Sequence, residues 1–280
     1  MEVPPTRKVR PALALIANFV GLGLGYVYVG RLALGVATVV GTFGLVALFA
    51  WTRLLVSYAT AVWLLSAIVL TLLGVSWIHP VVLAFRSRQQ STMWYNRWWF
   101  YVSWMVVIGA CTSWPTFHRA QVFGYEPFRT PTTSMSPTIE QGDLFMVDTW
   151  HYRLHSPAIG EIVVFERPDL PGVKYVKRIV GLSGDQIEGR EGILYRNGQT
   201  VSEPYTHELV PYHPYGRDFG PTDVGMGEMF VLGDYRDNSL DSREWGSLPI
   251  AQLHGRAQFI WLTAVGGSLH WNRVGISVTP

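Results

Sequence analysis

The chain has 280 residues, of which 49% are hydrophobic, 14% aromatic and only 15% charged, with a formal net charge of +2. Disorder needs low hydrophobicity and high net charge, so this composition excludes it. A charged fraction well under the roughly one quarter of soluble domains also excludes a wholly soluble protein. The charge is unevenly placed: nine of the 22 Lys and Arg, but only one of the 20 acids (Glu2), fall within residues 1–125. The remainder is therefore acidic and gives no support for nucleic-acid binding, despite a basic overall balance. Cys111 is the single cysteine, so no intrachain disulfide forms, and its apolar surroundings read as small-residue packing.

Between residues 11 and 85 the only formal charges are Arg31 and Arg53. A membrane span needs about 20 apolar residues, and the two arginines divide this stretch into candidates at 12–30, 32–51 and 54–82. A fourth, 98–114, is shorter and rich in Trp and Tyr, which favour membrane interfaces. Arg7, Lys8 and Arg10 ahead of an apolar run also fit a cleavable signal peptide, but the apolar material continues far beyond one, which favours an integral membrane region. Basic loops mark cytoplasmic ends: Arg7, Lys8 and Arg10 form one, and Arg86, Arg88 and Arg97 a second. Two cytoplasmic ends require an even number of crossings between them. The segment 12–30, with Gly21, Gly23, Gly25 and Gly30, has the weakest helix propensity and is expected to be re-entrant or interfacial. The span at 98–114 then delivers the rest of the chain to the outer side. Residues 1–123 thus read as a membrane region with about three transmembrane helices.

Residues 124–280 alternate short apolar runs with turn signals. The runs are 144–147, 161–165, 175–182, 193–201, 229–233 and 257–262, rich in β-branched and aromatic residues. This is strand patterning, and Asn197-Gly198 is a hairpin signal. The expected fold is a mainly β catalytic domain of antiparallel sheets, anchored by the α-helical transmembrane region.

Lysine is scarce: Lys8, Lys174 and Lys177 stand against 19 Arg. Lys177 lies in an apolar strand, where alternation puts it on one face with Tyr175 and Ile179. Burial there would lower its pKa toward that of a general base; a solvent-reaching lysine on an edge strand is the plainer reading. Thr130 to Thr138 form a hydroxyl-rich loop with two prolines, readable as a linker or as the site of a nucleophile that a neutral lysine would activate. Gly233 to Gly246 alternates acids, arginines and hydroxyls. It reads as a solvated loop, as a calcium loop lacking the EF-hand spacing, or as a buried polar network propping up a site.

Together these segments resemble the type I signal peptidases (leader peptidases), a family of membrane-anchored proteases with a Ser–Lys dyad. Five boxes occur in the family's order: Ser134-Met135-Ser136-Pro137-Thr138; Gly142-Asp143; Gly160-Glu161-Ile162-Val163-Val164-Phe165; Lys177-Arg178 through Gly184-Asp185; and Gly233 to Arg243, which departs only at Tyr235. The resemblance covers the second half and the span before it, not residues 1–90. It implies Ser134 as nucleophile and Lys177 as general base, then as acid to the leaving amine. The Ser134 backbone N–H and the Thr132 hydroxyl are implied as the oxyanion hole. Ser239 is implied to orient the Lys177 amine, with Asp241, Arg243 and Arg178 in support. Phe128, Thr130, Met135, Ile139, Tyr175 and Val176 match positions lining shallow apolar substrate pockets. Neither a cofactor nor a metal is implied. Thr133 and Thr130 depart from the family's usual small and apolar residues, and the membrane segments exceed its usual one or two.

The implied activity is removal of signal peptides after small residues from exported precursors, the implied partners. The implied place is the plasma (inner) membrane, with the bilayer as the other partner and residues 124–280 on the extracytoplasmic, periplasmic side. Two other readings stand beside it: another Ser–Lys processing protease, and a non-catalytic membrane-anchored binding domain. The chain has no Gly-x-Ser-x-Gly elbow and no His-Glu-x-x-His.

Overall fold

A computed structural model describes residues 6–86, 89–167, 169–206, 218–265 and 268–279. Glu2 and Arg88, both counted above, lie outside the described residues. The chain divides into two compact units: Met1–Leu55 with Thr60–Phe123, and Val56–Ala59 with Gly124–Pro280.

The first unit is helical: α1 Pro11–Val20, α2 Leu24–Tyr28, α3 Leu32–Trp51, α4 Ala59–Arg86 and α5 Trp98–Phe117. Helices α3 and α4 are long and apolar enough to cross a membrane, and only 11% and 17% of their apolar windows are buried. Helices so apolar and so little covered by protein match hydrocarbon surroundings rather than water. The stretch 12–30 is not one helix. It breaks at Gly21-Leu22-Gly23, where Gly23 takes φ 79° and approaches α3 so closely that a Cβ would sit 2.6 Å from the Gly35 carbonyl oxygen. The two pieces form a hairpin closed by the Gly25 N–H, which donates to Asn18 Oδ1 at 3.0 Å, while Asn18 Nδ2 donates to Ser76 Oγ at 3.2 Å. A buried amide in apolar surroundings needs such partners. The hairpin returns to where it began: the Arg7 guanidinium stacks 4.6 Å from the centre of the Tyr28 ring, and the Arg10 N–H donates to Tyr28 Oη at 3.2 Å. Thr6–Lys8 also pairs antiparallel with Gln89–Ser91, and Tyr95 Oη donates to the Gly30 carbonyl at 2.8 Å.

The second unit is built of antiparallel strands: β1 Tyr125–Arg129, β2 Asp143–Asp148, β3 Ile162–Arg167, β4 Leu170–Leu182, β5 Gln186–Arg190, β6 Ile193–Arg196, β7 Gln199–Thr200, β8 Phe219–Asp223, β9 Glu228–Leu232, β10 Leu248–Pro249, β11 Leu253–Val265 and β12 Ser268–Leu269. The large sheet runs β10-β9-β4-β3-β11-β2-β1, with β12 paired to β11, and a smaller one runs β8-β5-β6-β7. The expectation of a mainly antiparallel β fold is met. All six apolar runs fall on strands save for single end residues, with 193–201 forming the β6–β7 hairpin, where Asn197 and Gly198 take φ of 54° and 75°, as a two-residue turn requires. Buried side chains from β2, β3 and β11, including Phe145, Ile162, Val164 and Ile260, form one core cluster. Phe165, Val163, Ile179, Met229 and Val231 form a second, on β3, β4 and β9.

Register sets up the site. β4 pairs with β3 from Lys174 to Arg178, but with β9 only from Arg178 to Leu182. Among the described residues, the β9-side edge of 173–177 therefore has no strand partner.

Phe165 is fully buried between these strands. Phe165→Ala is expected to lower stability by about 3–5 kcal/mol, read as a lower denaturant midpoint of the detergent-solubilised chain.

Candidate active site

Ser134 lies in a turn-rich loop between β1 and β2, held at both ends. The Thr130 N–H donates to the Asp143 carbonyl and the Gly142 N–H to the Thr130 carbonyl, each at 2.9 Å. Gly142 itself takes φ 92°, a conformation a side chain resists. Asp143 is wholly buried; Thr263 Oγ1 donates to its Oδ1 at 2.7 Å, and the Arg273 guanidinium pairs with its Oδ2 at 2.6 Å. The Arg273 Nη2 also donates to the Thr138 carbonyl at 3.2 Å, so the Gly-Asp box fixes the far end of the serine loop. Glu161, of the third box, pairs with Arg256 at 3.1 Å and accepts from Tyr152 Oη at 2.9 Å.

Lys177 is on β4, where both faces of the strand are covered, and is 3% exposed; Ser134 is 8% exposed. Lys177 Nζ lies 2.7 Å from Ser134 Oγ, and Thr132 Oγ1 lies 3.3 Å from the same oxygen. Burial lowers the Lys177 pKa to about 8; the carboxylates of Asp241 and Asp234 pull it up and Arg243 pushes it down. An amine so placed is largely uncharged in mildly alkaline solution and can accept the hydroxyl proton.

Two arginine–carboxylate pairs flank this centre. Arg178 Nε and Nη2 donate to the two oxygens of Asp234 at 2.8 and 2.6 Å, and Nη1 to the Gly160 carbonyl at 2.7 Å. Thr138 Oγ1 donates to Asp234 Oδ2 at 2.6 Å. Arg243 Nε and Nη2 donate to Asp241 at 2.8 and 3.0 Å, and Asp241 Oδ2 also accepts from the Gly233 N–H at 2.9 Å. The Gly233 to Arg243 segment is thus a buried network, not a solvated or calcium loop, and it holds Ser134 directly: the Tyr235 N–H donates to the Ser134 carbonyl at 3.1 Å. Gly233 is required here, because a Cβ would fall 2.6 Å from that carbonyl and 2.1 Å from Ser239 Oγ.

The implied partner of Lys177, Ser239, behaves differently. Its buried hydroxyl makes no hydrogen bond among the described residues and is turned against Gly233, while the amine is engaged by Ser134. A cleft of about 520 Å³ opens beside the dyad, lined by Thr132, Ser134, Tyr175, Val176, Lys177 and Leu240 among others. Of the implied pocket residues, Tyr175 and Val176 line it. Met135 and Ile139 are wholly enclosed in the core beneath, with Phe128 packed against them, and Thr130 is buried with its hydroxyl unpartnered among the described residues. Thr133 accepts from Asn238 Nδ2 at 2.7 Å, which docks the loop at its departure from the family pattern. Three contributions had no local signal: Asn238 on Thr133, the Tyr205 ring 3.8 Å from the Arg178 guanidinium, and the Glu203–Arg236 pair at 2.8 Å. Each joins segments distant in sequence. Among the described residues, no group of acidic, His or Cys side chains is arranged to hold a metal.

Comparison with known proteins places the chain in a family. A family model described as signal peptidase, peptidase S26, matches residues 97–262. A probable signal peptidase I-1 of Synechocystis is 37% identical over 160 residues, covering 55% of this chain and 77% of that protein. A signal peptidase I of Bacillus licheniformis is 38% identical over 149 residues, covering 50% of this chain and 78% of that protein. A crystal structure of a signal peptidase I from Enterococcus faecalis shares 32% identity over 36% of this chain and 97% of that one, with a TM-score of 0.33. With more than half its length under the family model, and relatives matched over most of theirs, the chain belongs to the signal peptidase family, peptidase S26.

Proposed function

We propose that this chain is a membrane-bound serine endopeptidase that removes signal peptides from exported precursors, with Ser134 as nucleophile and Lys177 as general base. The observation that carries this reading is the 2.7 Å approach of a buried amine to a loop hydroxyl. Neutral Lys177 takes the Ser134 proton as Oγ bonds to the scissile carbonyl carbon. The oxyanion that forms meets the Ser134 backbone N–H and the Thr132 hydroxyl, donors worth roughly 3–4 kcal/mol of barrier each. The Lys177 ammonium then gives its proton to the leaving amine, and an acyl-enzyme remains. Water, deprotonated by Lys177, hydrolyses that ester and regenerates both groups.

An extended precursor fits the edge of 173–177, which has no strand partner among the described residues and can pair with a peptide backbone. The filled floor favours small residues next to the scissile bond: among the described residues, Met135 and Ile139 are wholly buried and leave no apolar space beneath Ser134 for a large side chain.

The helical unit suits a membrane, and we place it in the plasma (inner) membrane with residues 124–280 outside. Support comes from parity. The basic segment at Thr6–Lys8 pairs with Gln89–Ser91, so the chain before α1 and the chain after α4 share one side. The hairpin of α1 and α2 returns to that side too, leaving α3 and α4 as the two crossings. Helix α5 then crosses once and exports the strand-rich half of the chain. Partners on this reading are signal-peptide-bearing precursors and the bilayer, with no nucleic acid, in keeping with the acidic second half.

Ser134→Ala and Lys177→Met are each expected to reduce cleavage of an Ala-x-Ala precursor by about 10³-fold or more, with the protein still inserted. In the wild type, kcat/KM should climb about tenfold per pH unit and level off near 8, where the buried amine loses its proton. Full activity in either variant, or a profile flat from pH 6 to 9, would count against the dyad.

The same amine carries a stability cost. Its folded pKa of about 8 lies below the ordinary 10.5, so between these values the unfolded chain holds more protons and stability rises with pH. Below pH 8 the full cost of about 3 kcal/mol applies. Lys177→Met should therefore be more stable than wild type at pH 7 by up to about 3 kcal/mol, an advantage that shrinks as pH passes from 8 to 10.5; denaturant titrations at pH 7 and 10 check this.

A further inference from the structure

We propose that Glu203 and Tyr205 are positioning residues for the Ser134–Lys177 dyad, through which the small sheet holds the turn that carries Ser134. The inference rests on the proteolytic reading above and extends it to residues outside the five boxes.

Both residues lie on the segment that follows β7. Its start is tied to the small sheet by the Val201 N–H, which donates to the Leu194 carbonyl at 2.9 Å. The side chains of Glu203 and Arg236 are each only 10% exposed. Arg236 Nη1 donates to Glu203 Oε2 at 2.8 Å and Nη2 to Oε1, a two-point pairing that fixes the plane of the guanidinium as well as its place. Tyr205 Oη donates to the same Oε1 at 3.0 Å. Burial, and then the Glu203 charge, push the Tyr205 phenol up, so it keeps its proton and remains a donor. The Tyr205 ring lies 3.8 Å from the Arg178 guanidinium.

Each arginine passes this brace on. Arg236 Nε donates to the Gly233 carbonyl at 3.0 Å, at the start of the turn whose Tyr235 N–H holds the Ser134 carbonyl. Arg178 grips Asp234, the next residue of that turn, and adjoins Lys177 on β4. One short segment thus fixes the turn 233–235 twice, at Gly233 through Arg236 and at Asp234 through Arg178. Neither Glu203 nor Tyr205 lines the cleft, so both act through other residues. Without the Glu203 carboxylate, the buried Arg236 cation loses the partner it is bonded to and gains by turning toward water, which releases Gly233.

The test uses the full-length enzyme in detergent micelles, a peptide with one Ala-x-Ala site and a serine acylating agent. Glu203→Gln keeps the shape and removes the charge. It should lower kcat about tenfold, leave KM within about twofold of wild type, and slow acylation of Ser134 in proportion. Tyr205→Phe keeps the ring over Arg178 and loses one hydrogen bond, and should lower kcat about two- to threefold. The double variant should fall little further than Glu203→Gln alone, since both changes act at one carboxylate. Unchanged kcat in Glu203→Gln, or a raised KM at unchanged kcat, overturns the proposal, as do losses that multiply in the double variant. Should Glu203→Gln fail to fold, unchanged kcat in Tyr205→Phe is enough to overturn it. The proteolytic reading fails separately: a wild type that leaves the peptide uncut removes both. A wild type that cuts it, with Ser134→Ala inactive and Glu203→Gln unchanged, loses only the positioning role.

Discussion

An amine next to a hydroxyl is a catalytic dyad only where the amine can shed its proton, and this fold meets that condition by excluding water from Lys177. The electrostatics would otherwise work against it. Asp234 and Asp241 both favour the charged lysine, and unpartnered they would hold it as a cation. Each is instead bound by two nitrogens of an arginine, Arg178 or Arg243. Their pull on the lysine persists, but desolvation is the larger effect and prevails. Of the two arginines, Arg243 also pushes the lysine pKa down, while Arg178 binds Asp234 and the Gly160 carbonyl.

The same network explains why the nucleophile stays in place. The serine loop is pinned by Asp143 and Arg273 at one end, by the Tyr235 N–H at the Ser134 carbonyl, and by Asn238 at Thr133. The segment after β9 reaches it only because Gly233 lacks a side chain. The two halves of the dyad come from separate parts of the chain, and the polar segment 233–243 locks one to the other.

Much of the catalytic fold was legible because the sheet is built from apolar β-branched runs with glycine and asparagine between them. The strands without that signal are polar or interrupted: Gln186–Arg190 carries charges on a half-exposed sheet, and Phe219–Asp223 contains Gly220-Pro221. The dyad was legible only through the order of its boxes, since a lone lysine in a strand has a plain alternative. What the sequence could not convey was direction. Met135 and Ile139 point into the core rather than the cleft, and the Ser239 hydroxyl points at Gly233. A loop of turns has no fixed periodicity from which to read facing. The partners of Lys174, Glu126 and His254, are likewise brought in by the register of β1, β4 and β11, which no local pattern encodes.

The hairpin of α1 and α2 bears on how such a protein can change over generations. A segment that goes back to the side it came from adds nothing to the tally of crossings. With α3 and α4 as the two crossings proposed above, it can be gained, lengthened or lost without inverting the downstream chain, whereas adding or deleting a single full helix would reverse it. On that proposed topology, change confined to this hairpin is unconstrained by sidedness, and the strand-rich half stays where it is.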